Sequence, residues 1–195
     1  MVTPTSKTER YPMPNLEDVP EDIRNKILSV QEKAGFVPNV FLTFARRPEE
    51  FRAFFAYHDA LMERAESRLT KGEMEMIVTA TSAVNHCLYC VVAHGAVLRI
   101  REKSSVISDQ IATNYRKADI SDRQRAMLDF AVKLAGPNSG AIGEDDFAAL
   151  HAHGFDDEDI WDISAITAFY GMSNRMANAT GLLPNPEFYT MGRGF

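Results

Sequence analysis

The two cysteines of the chain stand three residues apart, as Cys87 and Cys90, and His94 follows four residues later. On a helix, residues three and four apart lie on one face, so the two thiols and the imidazole are expected to converge. This arrangement is typical of a redox dithiol or of part of a metal site. A position near a helix N-terminus favours Cys87 as the nucleophile, whereas the neighbouring imidazole favours Cys90. The spacing alone leaves the nucleophile open.

An acidic partner for the imidazole is predicted on the preceding helix. Thr70 and Glu73 have the spacing of a capping box, which gives Glu73 a capping role and leaves Glu75 without one. Glu75 falls on a face of small residues that lets another helix approach, so its carboxylate is expected to be buried within reach of His94. The alternative is an exposed glutamate at the protein surface.

Apolar residues recur with the helical period along nearly the whole chain, and alternating runs of β-branched residues are absent. The sequence therefore predicts an all-α, single-domain protein. We predict an irregular arm over residues 1–19, a helical domain over 20–180 with the cysteine helix at about 86–101, and an irregular tail over 181–195. Asn85 is predicted to break the preceding helix and to cap the cysteine helix. The two terminal segments are expected either to wrap a neighbouring subunit or to fray.

Composition excludes several classes of function. The 195 residues include 21 Lys and Arg against 27 Asp and Glu, which gives a net charge of −6. The chain has no run of basic residues, so nucleic-acid binding is not expected. The chain has no run of 18 uncharged apolar residues, so no membrane span is predicted. The polar N-terminus lacks the apolar core of a secretion signal. We therefore expect a cytoplasmic protein, whose two cysteines are kept reduced between turnovers.

Residues 75–94, with Asn85 two residues before the first cysteine, resemble the signature of the alkyl hydroperoxidase AhpD core, part of the carboxymuconolactone decarboxylase-like superfamily. Residues 35–41 and 170–175 are similar to stretches of the uncharacterised peroxidase-related branch of that superfamily. The resemblance implies an AhpD-like helical fold, a homo-oligomer that is a trimer or a hexamer, and thiol-dependent reduction of an organic hydroperoxide without a cofactor or a metal. It also implies a dithiol or protein reductant.

The resemblance further implies a role for each site residue. Cys90 forms the sulfenic acid, Cys87 resolves it, and Glu75 and His94 relay protons. One position departs from the family pattern, because the best-known peroxidase of the family carries a histidine where this chain has Tyr89. A tyrosine donates a hydrogen bond but is no base near neutral pH, so slower turnover or a different substrate is expected.

Two other classes of function stay open from the sequence. One is a zinc-binding structural or regulatory protein that uses Cys87, Cys90 and His94. It would need a further ligand from elsewhere in the chain, because a structural zinc site takes four donors. The other is a non-redox enzyme of the same superfamily that acts on a lactone or a carboxylate, with vestigial cysteines.

Histidines and aromatic residues outside this segment are predicted to be structural. We expect His58 and His86 to lie at helix surfaces rather than in the site. Trp161, Phe169 and Tyr170, on the last long helix, are predicted to belong to the core or to a subunit contact.

Overall fold

The computed structural model describes residues 11–194, and within that range the protein is helical with no strand. The all-α prediction is therefore confirmed. Residues 1–10, the first part of the predicted N-terminal arm, lie outside the described residues. The α-helices of the described range are α1 (Glu21–Ala34), α2 (Asn39–Ala45), α3 (Pro48–Met62), α4 (Lys71–Val84), α5 (Leu88–Glu102), α6 (Ile107–Asn114), α7 (Asp122–Ala135), α8 (Glu144–Ala152), α9 (Asp157–Thr180) and α10 (Glu187–Thr190).

Helix α4 lies at the centre of the fold. Residues 72–82 are all buried, and α4 packs against α5, α6, α7 and α9. Its start is fixed by the predicted capping box, in which the Glu73 N–H donates to Thr70 Oγ1 at 3.1 Å and the Thr70 N–H donates to Glu73 Oε2 at 2.9 Å. The box satisfies two backbone N–H groups that have no partner within the helix. The register of Glu75 on the buried helix follows from this defined start.

Two apolar clusters hold the helices together. In the larger one, rings of α2 stack on rings of α3, with centroids 4.2 Å apart for Phe41 on Phe55 and for Phe44 on Phe54. Full burial of such a side chain stabilises the fold by about 1.5–3 kcal/mol. The smaller cluster contains both cysteines. Its buried members are Cys87, Tyr89, Cys90, Ala93, Ala96, Ala177, Leu182 and Phe188.

The turn between α4 and α5 differs from the prediction, because Asn85 ends α4 but does not cap α5. His86 adopts a left-handed backbone with φ of 51°, and the Cys87 N–H donates to the carbonyl of Ser82 at 3.0 Å. This is the Schellman turn that ends many helices, usually with glycine in the left-handed position. Cys87 is itself the N-cap of α5, so the cysteine helix starts later than the predicted range 86–101. Cys87 therefore completes the turn that ends α4 and is also the N-cap of α5.

The C-terminal segment, residues 181–194, is irregular as predicted except for one short helix. It contains α10 and packs on α5 of the same chain. Asn185 accepts a hydrogen bond from a backbone N–H of α2 at 2.8 Å. The guanidinium of Arg99 donates to the carbonyls of Phe188 and Met191 at 2.8 and 2.9 Å. These bonds hold the segment over the cysteine helix.

The aromatic residues of α9 divide between core and surface. Phe169 and Tyr170 are buried, as predicted for core residues. Trp161 is 70 % exposed in the single chain, so its assignment to the core is wrong. Its place in a subunit contact stays a prediction.

Candidate functional site

The two thiols lie at the start of α5, held by the turn that follows α4. Cys87 and Cys90 are 1 % and 2 % exposed, and both are free thiols. The Cys90 N–H donates to the sulfur of Cys87 at 3.4 Å. A helix N-cap normally carries an oxygen that accepts such a bond, and here a sulfur takes that place. The first cysteine therefore sits where the unpaired N–H groups and the positive end of the helix dipole favour negative charge.

The two thiols differ in acidity because they are hydrogen-bonded to each other. The Cys90 thiol donates to the Cys87 sulfur, which lowers the pKa of Cys87 to about 7 although burial opposes ionisation. The same bond, together with burial, raises the pKa of Cys90. The amide of Asn174, on α9, also lowers the pKa of both thiols. The first negative charge of the dithiol is therefore favoured on Cys87, not on Cys90.

Glu75 and His94 meet across the contact between α4 and α5. His94 Nδ1 lies 2.8 Å from Glu75 Oε2, and both side chains are largely buried. The expected burial of Glu75 against the next helix is observed, and the exposed alternative is wrong. With Nδ1 engaged by the carboxylate, Nε2 is the imidazole nitrogen left to exchange a proton.

A cavity of about 270 Å³ opens in front of Cys90 and His94, both of which line it. Cys87 is not among its lining residues. The walls come from the end of α1 and the connection that follows it, from α2, α3, α5 and α9, and from the C-terminal segment, and they are mainly apolar. Apolar wall residues include Phe36, Val40, Phe41, Phe54, Val97 and Phe188. Of the two cysteines, Cys90 is therefore the one that borders a space large enough for a small organic molecule.

His58 also lines this cavity, which corrects its assignment to the helix surface. Its Nδ1 lies 2.9 Å from Asp59 Oδ1, and Lys26 Nζ donates to Asp59 Oδ2 at 2.6 Å. Burial lowers the pKa of His58, against the opposing effect of Asp59. The signal was present in the sequence, because His58 follows the core residues Phe54 and Phe55 at helical spacings of four and three.

Helix α9 contributes polar groups that the sequence analysis did not assign to the site. Asn174 is fully buried, accepts a hydrogen bond from Asn85 Nδ2 at 3.0 Å and donates to Ser82 Oγ at 2.9 Å. Tyr170 lines the cavity, and burial raises its pKa well above 10.0. Both residues lie on the buried face of α9, but the helical period does not say which helix that face meets.

Tyr89, which stands at the family histidine's position, is engaged elsewhere. Its hydroxyl accepts a hydrogen bond from the N–H of Val40 at 3.4 Å, and burial raises its pKa. Its ring packs edge-on to Phe188 with centroids 6.3 Å apart. Tyr89 is therefore a wall residue that joins α5 to α2 and to the C-terminal segment.

Between residues 11 and 194, no group of three His, Cys, Asp or Glu side chains has the geometry to hold a metal ion. His86, a possible fourth zinc ligand beside the cysteines, is exposed as predicted. Over the same stretch of chain, no helix is both long and apolar enough to cross a bilayer.

Comparison with known proteins places the chain in a family. The model of the carboxymuconolactone decarboxylase family matches residues 48–113. The alkylhydroperoxidase AhpD core, an uncharacterized peroxidase-related protein from Ralstonia eutropha JMP134, is 65% identical over 96% of this chain and 98% of that chain, with a TM-score of 0.93. An uncharacterized peroxidase-related protein from Silicibacter sp. TM1040 is 39% identical over 99% of this chain and 100% of that chain, with a TM-score of 0.90.

The chain therefore belongs to the AhpD-like carboxymuconolactone decarboxylase superfamily, in its peroxidase-related branch. The debrominase Bmp8 is 20% identical over 92% of this chain and 94% of that chain, with a TM-score of 0.74. That likeness concerns the fold alone, since one fold carries many chemistries. No curated protein matches the chain.

Proposed function

We propose that the protein is a thiol-dependent peroxidase that reduces organic hydroperoxides by cycling Cys87 and Cys90 between dithiol and disulfide. The observation that carries the proposal is the joint position of Cys90 and His94 on one apolar cavity, with Glu75 on the far side of the imidazole and the second thiol behind Cys90. Membership of the peroxidase-related branch supports it.

Cys90 is the nucleophile in this proposal because the substrate can reach it. Acidity alone favours Cys87, the thiol with the lowered pKa, but Cys87 does not line the cavity. A buried thiolate without access to substrate cannot attack a peroxide. Cys90 therefore needs a base at the moment of attack, and His94, one helical turn away, is suited to that task.

The first step of the proposed cycle oxidises Cys90. The sulfur of Cys90 bonds to the terminal oxygen of the hydroperoxide, the O–O bond breaks, and Cys90 becomes a sulfenic acid. The proton of the Cys90 thiol passes to His94, and Glu75 stabilises the imidazolium that forms. His94 then gives this proton to the departing alkoxide, which leaves as an alcohol. One hydroperoxide is reduced by two electrons and one thiol is oxidised.

Cys87 resolves the sulfenic acid in the second step. Its thiolate attacks the sulfur of Cys90, the S–O bond breaks, and hydroxide leaves and takes a proton from solvent. That proton replaces the one that Cys87 released when it ionised near neutral pH. The product disulfide closes between residues three apart. An external dithiol or protein reductant of a reducing compartment such as the cytoplasm returns both thiols.

The experiment that tests the proposal is mass spectrometry after addition of one equivalent of cumene hydroperoxide. We expect a loss of two hydrogens in the peptide that carries both cysteines, and release of cumyl alcohol. In Cys87→Ser, dimedone should trap a sulfenic acid on Cys90, whereas Cys90→Ser should give no adduct. A sulfenic acid on Cys87 in Cys90→Ser would reverse the two roles, and an unoxidised parent protein would refute the function.

A further inference from the structure

Tyr170 carries a buried hydroxyl that no protein group of residues 11–194 satisfies. The residue is 2 % exposed, and no hydrogen-bond partner of its Oη lies among the described residues. A buried polar group without a partner destabilises a fold, so most such groups are paired. Tyr115 shows the usual arrangement in the same chain, because its hydroxyl donates to Asp129 Oδ1 at 2.7 Å. Since no protein group of the described residues pairs with the Tyr170 hydroxyl, a bound molecule is the remaining source of a hydrogen-bond partner.

The unpaired hydroxyl belongs to a residue that lines the reaction cavity. Tyr170, Cys90 and His94 all line it, and the ring of Tyr170 packs edge-on to the imidazole of His94 with centroids 4.7 Å apart. The tyrosine is therefore held next to the groups that receive the peroxide in the proposed function. Its ring is locked between His94 and Phe169, whose centroid lies 5.2 Å away.

The protonation state of the hydroxyl fixes what it can do. Burial and the charge of Glu75 both raise the pKa of Tyr170, so the group keeps its proton at neutral pH. A neutral phenol with a free proton is a hydrogen-bond donor. In a cavity with apolar walls, such a donor stabilises an oxygen that gains negative charge far more than it does in water.

We propose that the Tyr170 hydroxyl binds the substrate oxygen that bears the organic group and stabilises it as the O–O bond breaks. This inference rests on the proposed peroxidase function and adds a donor for the leaving group. Cys90 bonds to the terminal oxygen, the O–O electron pair moves to the inner oxygen, and Tyr170 donates its hydrogen bond to the alkoxide that forms. The alkoxide then takes the proton that His94 removed from Cys90, and Tyr170 remains a phenol.

The test compares two oxidants of similar size whose leaving groups differ in basicity. Cumene hydroperoxide releases a strongly basic alkoxide, and perbenzoic acid releases a weakly basic carboxylate. Rates of sulfenic acid formation on Cys90 are measured in a Cys87→Ser background, with and without Tyr170→Phe. Loss of one such donor typically slows a reaction on the order of 10²-fold. We expect Tyr170→Phe to slow the reaction with cumene hydroperoxide by at least about tenfold, and the reaction with perbenzoic acid much less.

Two further measurements separate this role from a purely structural one. Alkylation of Cys90 by iodoacetamide has no oxygen leaving group, so its rate should not change in Tyr170→Phe. The melting temperature of the variant should equal or exceed that of the parent, because an unpaired buried hydroxyl is removed. Tyr115→Phe is the matched control, since it removes a paired hydroxyl outside the cavity. It should lower the melting temperature and leave the peroxide rates unchanged.

The outcomes test the role of Tyr170 separately from the proposed peroxidase function on which it rests. Equal slowing with both oxidants and with iodoacetamide would mean that Tyr170 only shapes the site, and would overturn the inference. An unchanged rate with cumene hydroperoxide in Tyr170→Phe, with a reactive parent, would overturn the inference alone. A parent that reacts with neither oxidant would overturn the proposed function and the inference together.

Discussion

His94 Nδ1 lies 2.8 Å from Glu75 Oε2, and this contact joins α5 to α4 beside the cavity that Cys90 lines. The two residues are 19 positions apart, so the contact depends on the close packing of two consecutive antiparallel helices. The carboxylate fixes which imidazole nitrogen carries the proton and stabilises the imidazolium. Removal of the charge should therefore affect the chemistry more than the fold.

Glu75→Gln should lower the rate of peroxide reduction by at least about tenfold, because loss of one partner of a proton relay typically costs 10²–10⁴ in rate. The side chain keeps its shape, so the melting temperature should change little. Stopped-flow measurement of thiol oxidation with cumene hydroperoxide gives the rate.

Glu73→Gln is the matched control for this variant, two positions away on the same helix. Glu73 caps α4 and forms an ion pair with Arg123, so its loss should lower the free energy of unfolding by about 2 kcal/mol and leave the rate nearly unchanged. A parental rate in Glu75→Gln together with a slow Glu73→Gln would assign the relay to the wrong glutamate.

Cys90→Ala should raise the pKa of Cys87 from about 7 towards 9.0, because the variant removes the thiol that donates to the Cys87 sulfur. Cys87→Ala should lower the pKa of Cys90, which loses the bond that holds its proton. Thiolate absorbance in the ultraviolet, titrated as a function of pH, measures both values without a reagent that has to reach the buried sulfur. The mutual hydrogen bond is refuted if the Cys87 profile of Cys90→Ala keeps its midpoint near that of the parent.

Local sequence signals predicted the helices and half of the site. The capping box at Thr70 fixed the register of α4, and helical spacing placed Cys90 and His94 on the same cavity, whereas Cys87 is the N-cap and does not line it. The N-cap position of Cys87 was missed, since neither a cysteine N-cap nor a histidine in the left-handed position of a Schellman turn is a usual signal.

The other half of the site depends on contacts between distant elements. His58 and Tyr170 come from α3 and α9, and their periodicity shows only that they face inwards. The C-terminal segment was predicted to be irregular because it contains Pro184, Pro186 and two late glycines. Its one helix, α10, has only 4 residues and no side-chain cap. The segment is held by Asn185 and Arg99 through side-chain bonds to backbone groups far along the chain. Such bonds have no periodic signature in sequence.

Assembly into a homo-oligomer is expected from the exposed side of α9. An apolar stripe runs along this helix at spacings of three and four residues and leaves its large side chains uncovered in the single chain. Its members are Trp161, Ala165, Ala168, Met172 and Met176. A closed assembly that buries this stripe would remove it from water.

Light scattering should therefore give a mass that is a multiple of 21.8 kDa, with a trimer or a hexamer expected. Met172→Glu, which places a charge in the middle of the stripe, should lower the mass. Val106→Glu, at an exposed apolar position outside α9, should not. A parent mass near 21.8 kDa would contradict the assembly.

Protonation of His58 should make the fold less stable in mild acid. Burial lowers the pKa of His58 below 6.5, with a further contribution from His94 and opposing contributions from Asp59 and Glu75. The unfolded chain therefore binds this proton more tightly than the folded protein does. The contribution of His58 is fully present above about pH 6.5 and is lost as the pH falls towards the folded pKa. Urea unfolding at a series of pH values measures it.

His58→Gln cannot take up the proton, so its free energy of unfolding should fall less between about pH 7 and pH 5 than that of the parent. His86→Gln is the control, because His86 is exposed and its replacement should leave the parental slope intact. His58→Gln removes an imidazole from the cavity wall, whereas His86→Gln removes an exposed one. If both variants kept the parental slope, His58 would not be the group whose protonation destabilises the fold, and the acid sensitivity would belong to another site.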